Sequence, residues 1–197
     1  LQTEKFLHEI GEVLDIDPKV IESALLKERD IYFDYFERIA DIYNDIDLQR
    51  YGIVVGDANY APAISRFLSD ELGWLPELAM ITDFLTKEQK SRIESRFDHY
   101  ESGLKPLVEF DTDASSVKKY IRTIWKPDRN ERYYDTMAPG FVIGSVIERE
   151  FANEFNYPLL YVTFPATNRV IFNRSYAGLN GALTLAEDIF STLVSGR

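Results

Sequence analysis

Two polar turns and a pair of arginines hold the side chains of this chain best suited to chemistry. The first turn is Gly56-Asp57-Ala58-Asn59-Tyr60, the second opens at Gly144-Ser145, and Arg169 and Arg174 flank Val170 to Asn173. Two guanidinium groups so placed are able to clamp a carboxylate or phosphate through bidentate hydrogen bonds. The structural alternative is that they pair with carboxylates of a neighbouring subunit or with backbone carbonyls. Asp57 and Asn59 have a structural alternative too, as caps of the helix that follows them. A dinucleotide fingerprint needs Gly-x-Gly-x-x-Gly so that backbone can approach a pyrophosphate. Here Gly56 stands alone, and Asp57 would set a negative charge beside the phosphate. The sequence has neither a phosphate loop ending in Gly-Lys-Ser/Thr nor a Gly-x-Ser-x-Gly elbow for a serine nucleophile.

Composition narrows the chemistry further. The 197 residues contain no cysteine, which removes disulfides, thiolate catalysis and cysteine-ligated zinc or iron–sulfur clusters within them. The two histidines, His8 and His99, fall in no metal-ligand spacing. A formal net charge of −11 opposes binding to a phosphate backbone, so no nucleic-acid partner is expected. No apolar run approaches the ~20 residues of a membrane-spanning helix, no signal peptide is visible, and no membrane partner is expected. The start at Leu1 rather than Met suggests a piece of something longer.

The elements that must position these residues follow from periodicity. Phe6, Ile10 and Leu14 predict a first amphipathic helix from Thr3 to Leu14. Asp17-Pro18 opens a longer one, along which Tyr32, Phe36, Ile39, Tyr43 and Ile46 form one apolar seam. Asp30, Asp34, Glu37, Asp41 and Asp45 run along the opposite side, a docking face for a basic partner, a cation site between subunits, or simply a solvated face.

From Tyr51 onward short apolar runs alternate with helical segments, the pattern of a parallel sheet wrapped by helices. Strands are expected at Gly52–Gly56, Leu78–Thr82, Pro106–Phe110, Phe141–Gly144 and Leu159–Thr163. Helices are expected at Ala61–Leu72, after a Thr86/Gln89 capping box, from Ala114 to about Trp125 under an Asp113 cap, at Val146–Phe155, and from about Gly181 to Leu193. Lys126 to Pro139 reads as an exposed loop. The fold class is α/β: a Rossmann-like open parallel sheet of about five strands in the order 3-2-1-4-5, with helices on both faces and an N-terminal helical segment. Residues 1–50 are the helical extension and 51–197 the sheet domain. In such a sheet, ligands bind beyond the carboxyl ends of the strands where the order reverses, which brings Asp57, Asn59 and Ser145 together as switch-point candidates.

The run Phe164-Pro165-Ala166-Thr167-Asn168-Arg169, with Arg174, Tyr176-Ala177-Gly178 and the helical pattern to Val194, resembles the C-terminal signature of nitrogenase component 1 proteins. Tyr51 to Asp83 and Gly140 to Ser145 extend the resemblance. It implies the C-terminal Rossmann-like domain of a molybdenum–iron protein β-type chain, since no histidine follows His99 where the α-type carries a cluster ligand. The parent would reduce dinitrogen in the cytoplasm with an iron–sulfur cluster and a molybdenum–iron cofactor, both held outside these residues. Its partners would be an α-type chain, a second β-type chain and an iron protein that donates electrons. No catalytic, cofactor or metal residue carries over to this chain. Asp57, Asn59, Ser145, Arg169 and Arg174 remain switch-point or interface candidates. Alternatives are a cofactor-assembly scaffold, a component of light-independent protochlorophyllide reductase, or a stand-alone small-anion binding module.

Overall fold

The computed structural model describes residues 2–45, 48–124, 140–167 and 174–195. Five strands, β1 (Tyr51–Gly56), β2 (Leu75–Ile81), β3 (Leu107–Phe110), β4 (Gly140–Gly144) and β5 (Leu159–Tyr161), form one all-parallel sheet in the order β3-β2-β1-β4-β5. That is the expected order. The central strands β1 and β4 are apolar without alternation because both of their faces are covered: Ile53, Val54, Val55, Phe141, Val142 and Ile143 are all buried. At the edge, β3 is only half-buried along its length and carries Glu109.

One face of the sheet presents Ile53, Val55, Leu78, Met80 and Val142 to the helices α5 (Val117–Ile124) and α6 (Arg149–Glu154), which add Val117, Ile121, Phe151 and Ala152 to the same core. Each of the Val, Leu, Ile, Met and Phe side chains among them, once fully buried, contributes about 1.5–3 kcal/mol. Helix α3 (Tyr60–Arg66) packs against β1 and β2, and the buried rings of Trp74 and Phe141 meet edge-on at 5.2 Å. Helix α4 (Lys87–Glu94) carries the expected capping box: Thr86 Oγ1 accepts from Gln89 N, and Gln89 Oε1 accepts from Thr86 N.

Several boundaries differ from expectation for local reasons. Strand β2 starts at Leu75 and takes in Pro76, which lacks an N–H. Pro76 pairs with Gly52 where the β1–β2 register shifts between Gly52 and Ile53, an irregularity that tolerates the missing donor. The helix expected over Ala61–Leu72 is α3 followed by one π-helical turn at Phe67–Glu71. The segment after β4 starts with a 3-10 turn, Val146–Glu148, before α6. Trp125 and the expected loop 126–139 lie outside the described residues.

The chain groups into two compact units, Leu1–Leu48 with Ile171–Ser191, and Gln49–Val170 with Thr192–Arg197. In the first, α1 (Gln2–Val13) and α2 (Pro18–Asp45) pack side by side, and Arg29 Nη2 and Glu4 Oε1 join them at 2.6 Å. The expected seam of α2 turns inward, with Tyr32 buried and Phe36, Ile39 and Tyr43 half-buried, while Ile46 lies outside the described residues. Helix α7 (Gly178–Ser195) begins nearly a turn before the expected start at Gly181. Gly178 has φ +74° and open space around its Cα, so a left-handed backbone explains the glycine there. Gly181 meets a different need, close approach, since a Cβ there would run into the Tyr176 backbone.

Candidate functional site

The carboxyl ends of β1 and β4 are neighbours in the sheet, and the turns that leave them carry Asp57, Asn59 and Ser145. After β1 the carboxylate of Asp57 folds back onto the chain. Its Oδ1 accepts from Asn59 N at 2.7 Å and from Tyr60 N at 2.8 Å, satisfying donors at the open start of α3. Asn59 occupies the N-cap position but makes no side-chain cap bond. A second carboxylate joins the turn from the end of β2, where Asp83 Oδ2 accepts from Ala58 N at 2.7 Å. Thr82 N donates to Gly56 O at 2.9 Å and so holds the β1 and β2 ends together.

After β4 the polar groups form a buried knot. Glu148 Oε2 accepts from Ser145 N at 2.5 Å and from Ser145 Oγ at 2.8 Å, while Ser145 Oγ accepts from Ile147 N at 3.1 Å. Glu148 is 0% exposed, and among the described residues its Oε1 has no hydrogen-bond partner. Burial pushes its pKa above the ordinary 4.5, against the bonds from Ser145, which favour the anion. Gly144 makes the knot possible, because a Cβ there would come within 2.6 Å of Glu148 Oε2. Val146 N donates to Pro165 O at 2.9 Å, so the turn after β5 is bonded to the turn after β4.

Beyond β3, Asp111 takes hydrogen bonds from Asp113 N, Ser116 Oγ and Tyr120 Oη at 2.8 to 3.0 Å. These bonds, the backbone one foremost, hold its carboxyl below the usual range. Near β5, Arg149 Nε donates to Tyr161 Oη at 2.9 Å and Arg149 Nη2 to Thr167 Oγ1 at 3.1 Å. The apolar side chains of these loops behave differently. Phe84 after β2 is 97% exposed and Phe164 after β5 is 94% exposed, with Tyr60 at the start of α3 and Ile147 in the 3-10 turn after β4 also in solvent. Four adjacent strands thus each send one large apolar side chain into water at the same end of the sheet.

Arg174 belongs to the other compact unit. Its Nη2 lies 3.0 Å from Asp188 Oδ1, and Tyr176 Oη donates to Asp188 Oδ2 at 2.6 Å, so the largely buried Asp188 is held from both sides. Arg169 lies outside the described residues. Of the five candidates, Asp57, Asn59 and Ser145 lie on the turns that follow the adjacent strands β1 and β4, each bonded within or beside its own turn. Sequence reasoning missed Glu148, although Ser145-Val146-Ile147-Glu148 is a readable Ser-x-x-Glu capping box. Asp83 had no local signal, since its partner Ala58 is 25 residues away.

A family model described as nitrogenase component 1 type oxidoreductase matches residues 1–194. The molybdenum–iron protein beta chain of nitrogenase from Methanothermobacter thermautotrophicus is 26% identical over 195 residues, 98% of this chain and 37% of the relative. A component of light-independent protochlorophyllide reductase from a Roseiflexus species is 26% identical over 164 residues, 82% of this chain and 27% of the relative. A solved structure titled "Nitrogenase Cp1 at pH 6.5" shares the fold with a TM-score of 0.67 at 20% identity, over 98% of this chain and 37% of that one. The chain therefore spans between 27% and 37% of the length of these relatives. With a match that runs through nearly all of its residues, the chain belongs to the nitrogenase component 1 type oxidoreductase family.

Proposed function

We propose that this chain serves as scaffold and subunit interface in a nitrogenase-type reductase of the cytoplasm, with the redox centres held by other parts of the assembly. The observation that carries this reading is the division of labour at the carboxyl end of the sheet. Asp57, Asp83, Ser145 and Glu148 bond to backbone or to one another, while Phe84 and Phe164 stand in solvent. Exposed aromatics at the carboxyl end of the sheet suit a protein interface better than a reacting centre. Asp57, Asn59, Ser145, Arg169 and Arg174 then act as structural or interface residues.

The family implies iron–sulfur and molybdenum–iron clusters, and the donor set of this chain does not fit them. A thiolate-bound cluster needs cysteine, and the sequence has none. Among the described residues no three His, Asp or Glu side chains are grouped to hold a metal. In the nitrogenase reading, the missing ligands come from the rest of the β-type chain and from the α-type chain, a second β-type chain completes the assembly, and an iron protein supplies electrons for dinitrogen reduction. A second reading, a component of a protochlorophyllide-type reductase, is favoured by the relative from that enzyme at the same 26% identity.

Anaerobic incubation of the chain with ferrous iron and sulfide tests the scaffold assignment. Gel-filtered protein is expected to show no visible absorption from a cluster. Stoichiometric iron and sulfide on the chain would overturn the assignment. Sedimentation with purified nitrogenase α-type chain, and separately with the complementary chain of protochlorophyllide reductase, separates the two readings by which one co-migrates.

A further inference from the structure

The turn after β4 and the turn after β5 are bonded to each other, and together they hold one guanidinium in a fixed pose. Val146 N donates to Pro165 O at 2.9 Å. Close by, Arg149 Nε donates to Tyr161 Oη at 2.9 Å and Arg149 Nη2 to Thr167 Oγ1 at 3.1 Å. The largely buried ring of Tyr161 lies against the charge, its centroid 5.7 Å from Arg149 Cζ. Arginine carries five N–H donors in one plane, so among the described residues two are spent on neutral hydroxyls and the rest, on Nη1 and Nη2, stay open. These contacts fix the side chain without neutralising it, and a ligand that met it would have little ordering left to do.

Among the described residues no carboxylate lies within ion-pair distance of this guanidinium. On its own element Glu148 is turned inward to Ser145, Glu154 is taken by Lys118 and Arg122, and Glu150 is exposed without reaching it. The facing segment, Tyr161 to Thr167, contains no charged residue. Across the switch point, the carboxylates of Asp57 and Asp83 accept from backbone N–H groups of the turn after β1. Arg29, Arg66, Arg122 and Arg174, by contrast, each have a carboxylate partner. Ile147 and Phe164 flank the site, next in sequence to the bonded pair Val146 and Pro165, and both are exposed.

We propose that Arg149 receives a carboxylate side chain of a partner polypeptide, with an apolar residue beside that acid seated on Phe164 and Ile147. A guanidinium fork already held in place suits a carboxylate, and covering Phe164 removes apolar surface from water. A free inorganic anion would satisfy the guanidinium and leave both apolar side chains in solvent. A nucleic acid or an anionic membrane is opposed by the net charge of −11. This contact rests on the interface role proposed for the carboxyl end of the sheet and gives that interface a chemistry.

The test uses the whole chain, isotope-labelled for NMR, and two capped peptides, Ala-Leu-Glu-Leu-Ala and its twin with glutamine in place of glutamate. The Arg149 Nε–H signal, assigned through its loss in Arg149→Lys, is expected to shift saturably with the glutamate peptide, and the Phe164 amide signal to move with it. The glutamine peptide should bind at least about fivefold more weakly. Arg149→Gln should weaken the glutamate peptide about tenfold and Phe164→Ser several-fold. Tyr161→Phe keeps the net charge and should still weaken it about threefold, because the guanidinium is released from its pose. Arg92→Gln, which removes an exposed arginine elsewhere, should change it less than about twofold, and a loss equal to that of Arg149→Gln would reduce the effect to bulk charge and overturn the proposal. So would equal binding of the two peptides, or no response up to about 20 mM peptide. Acetate or phosphate shifting the Arg149 signal as strongly as the glutamate peptide would make the site one for small anions and overturn it too. Sedimentation with the nitrogenase α-type chain separates this contact from the role it rests on. Co-migration that survives Arg149→Gln, together with a silent peptide titration, would remove the contact and keep the interface, whereas a cluster assembled on the chain would remove the scaffold role and leave the peptide result standing.

Discussion

Carboxylates at the carboxyl end of the sheet and carboxylates along α2 are put to opposite uses. At the sheet, Asp57 and Glu148 bind backbone N–H groups within three residues of themselves, so their negative charge organises the chain. Along α2, Asp34, Glu37 and Asp41 stand in water and make no side-chain hydrogen bond or ion pair among the described residues. The apolar side chains divide differently, because both regions display them: Phe84 and Phe164 at the sheet, Ile31 and Ile42 on the helix. What distinguishes the two surfaces is therefore whether the carboxylates beside the apolar groups are free. A chain with net charge −11 has acids to spare, and their hydrogen bonds, not their number, show which ones the fold depends on.

The contrast can be broken by removing one acid at a time. Glu148→Ala should have the largest effect, a loss of about 2–4 kcal/mol, because it opens a cavity and leaves Ser145 N and Oγ without their acceptor. Its pH signature has a definite sign. The folded chain holds the Glu148 proton more tightly than the unfolded chain does, so this group's contribution is complete below the ordinary pKa of 4.5. It declines as pH rises through the higher folded value, and Glu148→Gln should flatten that part of the stability–pH curve. A rise in stability over the same window in the wild type, lost in the variant, would reverse the assignment.

Smaller effects sharpen the comparison. Arg174→Ala should cost about 1–2 kcal/mol in thermal unfolding, since Asp188 is largely buried while Arg174 itself is partly solvated and its contribution is screened accordingly. Asp57→Ala should cost about 1 kcal/mol, the usual value of a helix cap. Asp34→Asn or Asp41→Asn should change stability by less than about 0.5 kcal/mol. A loss above about 1 kcal/mol at either α2 position would show that the acidic row supports its own helix.

Much of the sheet was legible in sequence because a strand buried on both faces must be apolar throughout, as Ile53-Val54-Val55 and Phe141-Val142-Ile143 are. The Thr86/Gln89 box was legible because both partners are local. The start of β2 was hidden, since Pro76 is admitted only by a register shift that depends on β1. Glycine roles were hidden as well: nothing in the run from Gly178 to Gly181 distinguishes a glycine that needs positive φ from one that needs space. At the candidate site, Asp57 and Ser145 were visible as turn residues, but the link from Asp83 to Ala58 spans two loops and has no periodic trace. The exposure of Phe84 and Phe164 ran against the rule that places aromatics inside.

The most direct test of the account is urea unfolding at neutral pH of Glu148→Ala beside the triple variant Asp34→Asn, Glu37→Gln, Asp41→Asn. The account predicts a clear fall in the midpoint for Glu148→Ala and a midpoint within error of the wild type for the triple variant, with unchanged slopes in both. Equal midpoints for the two variants, or a larger fall in the triple variant, would contradict it.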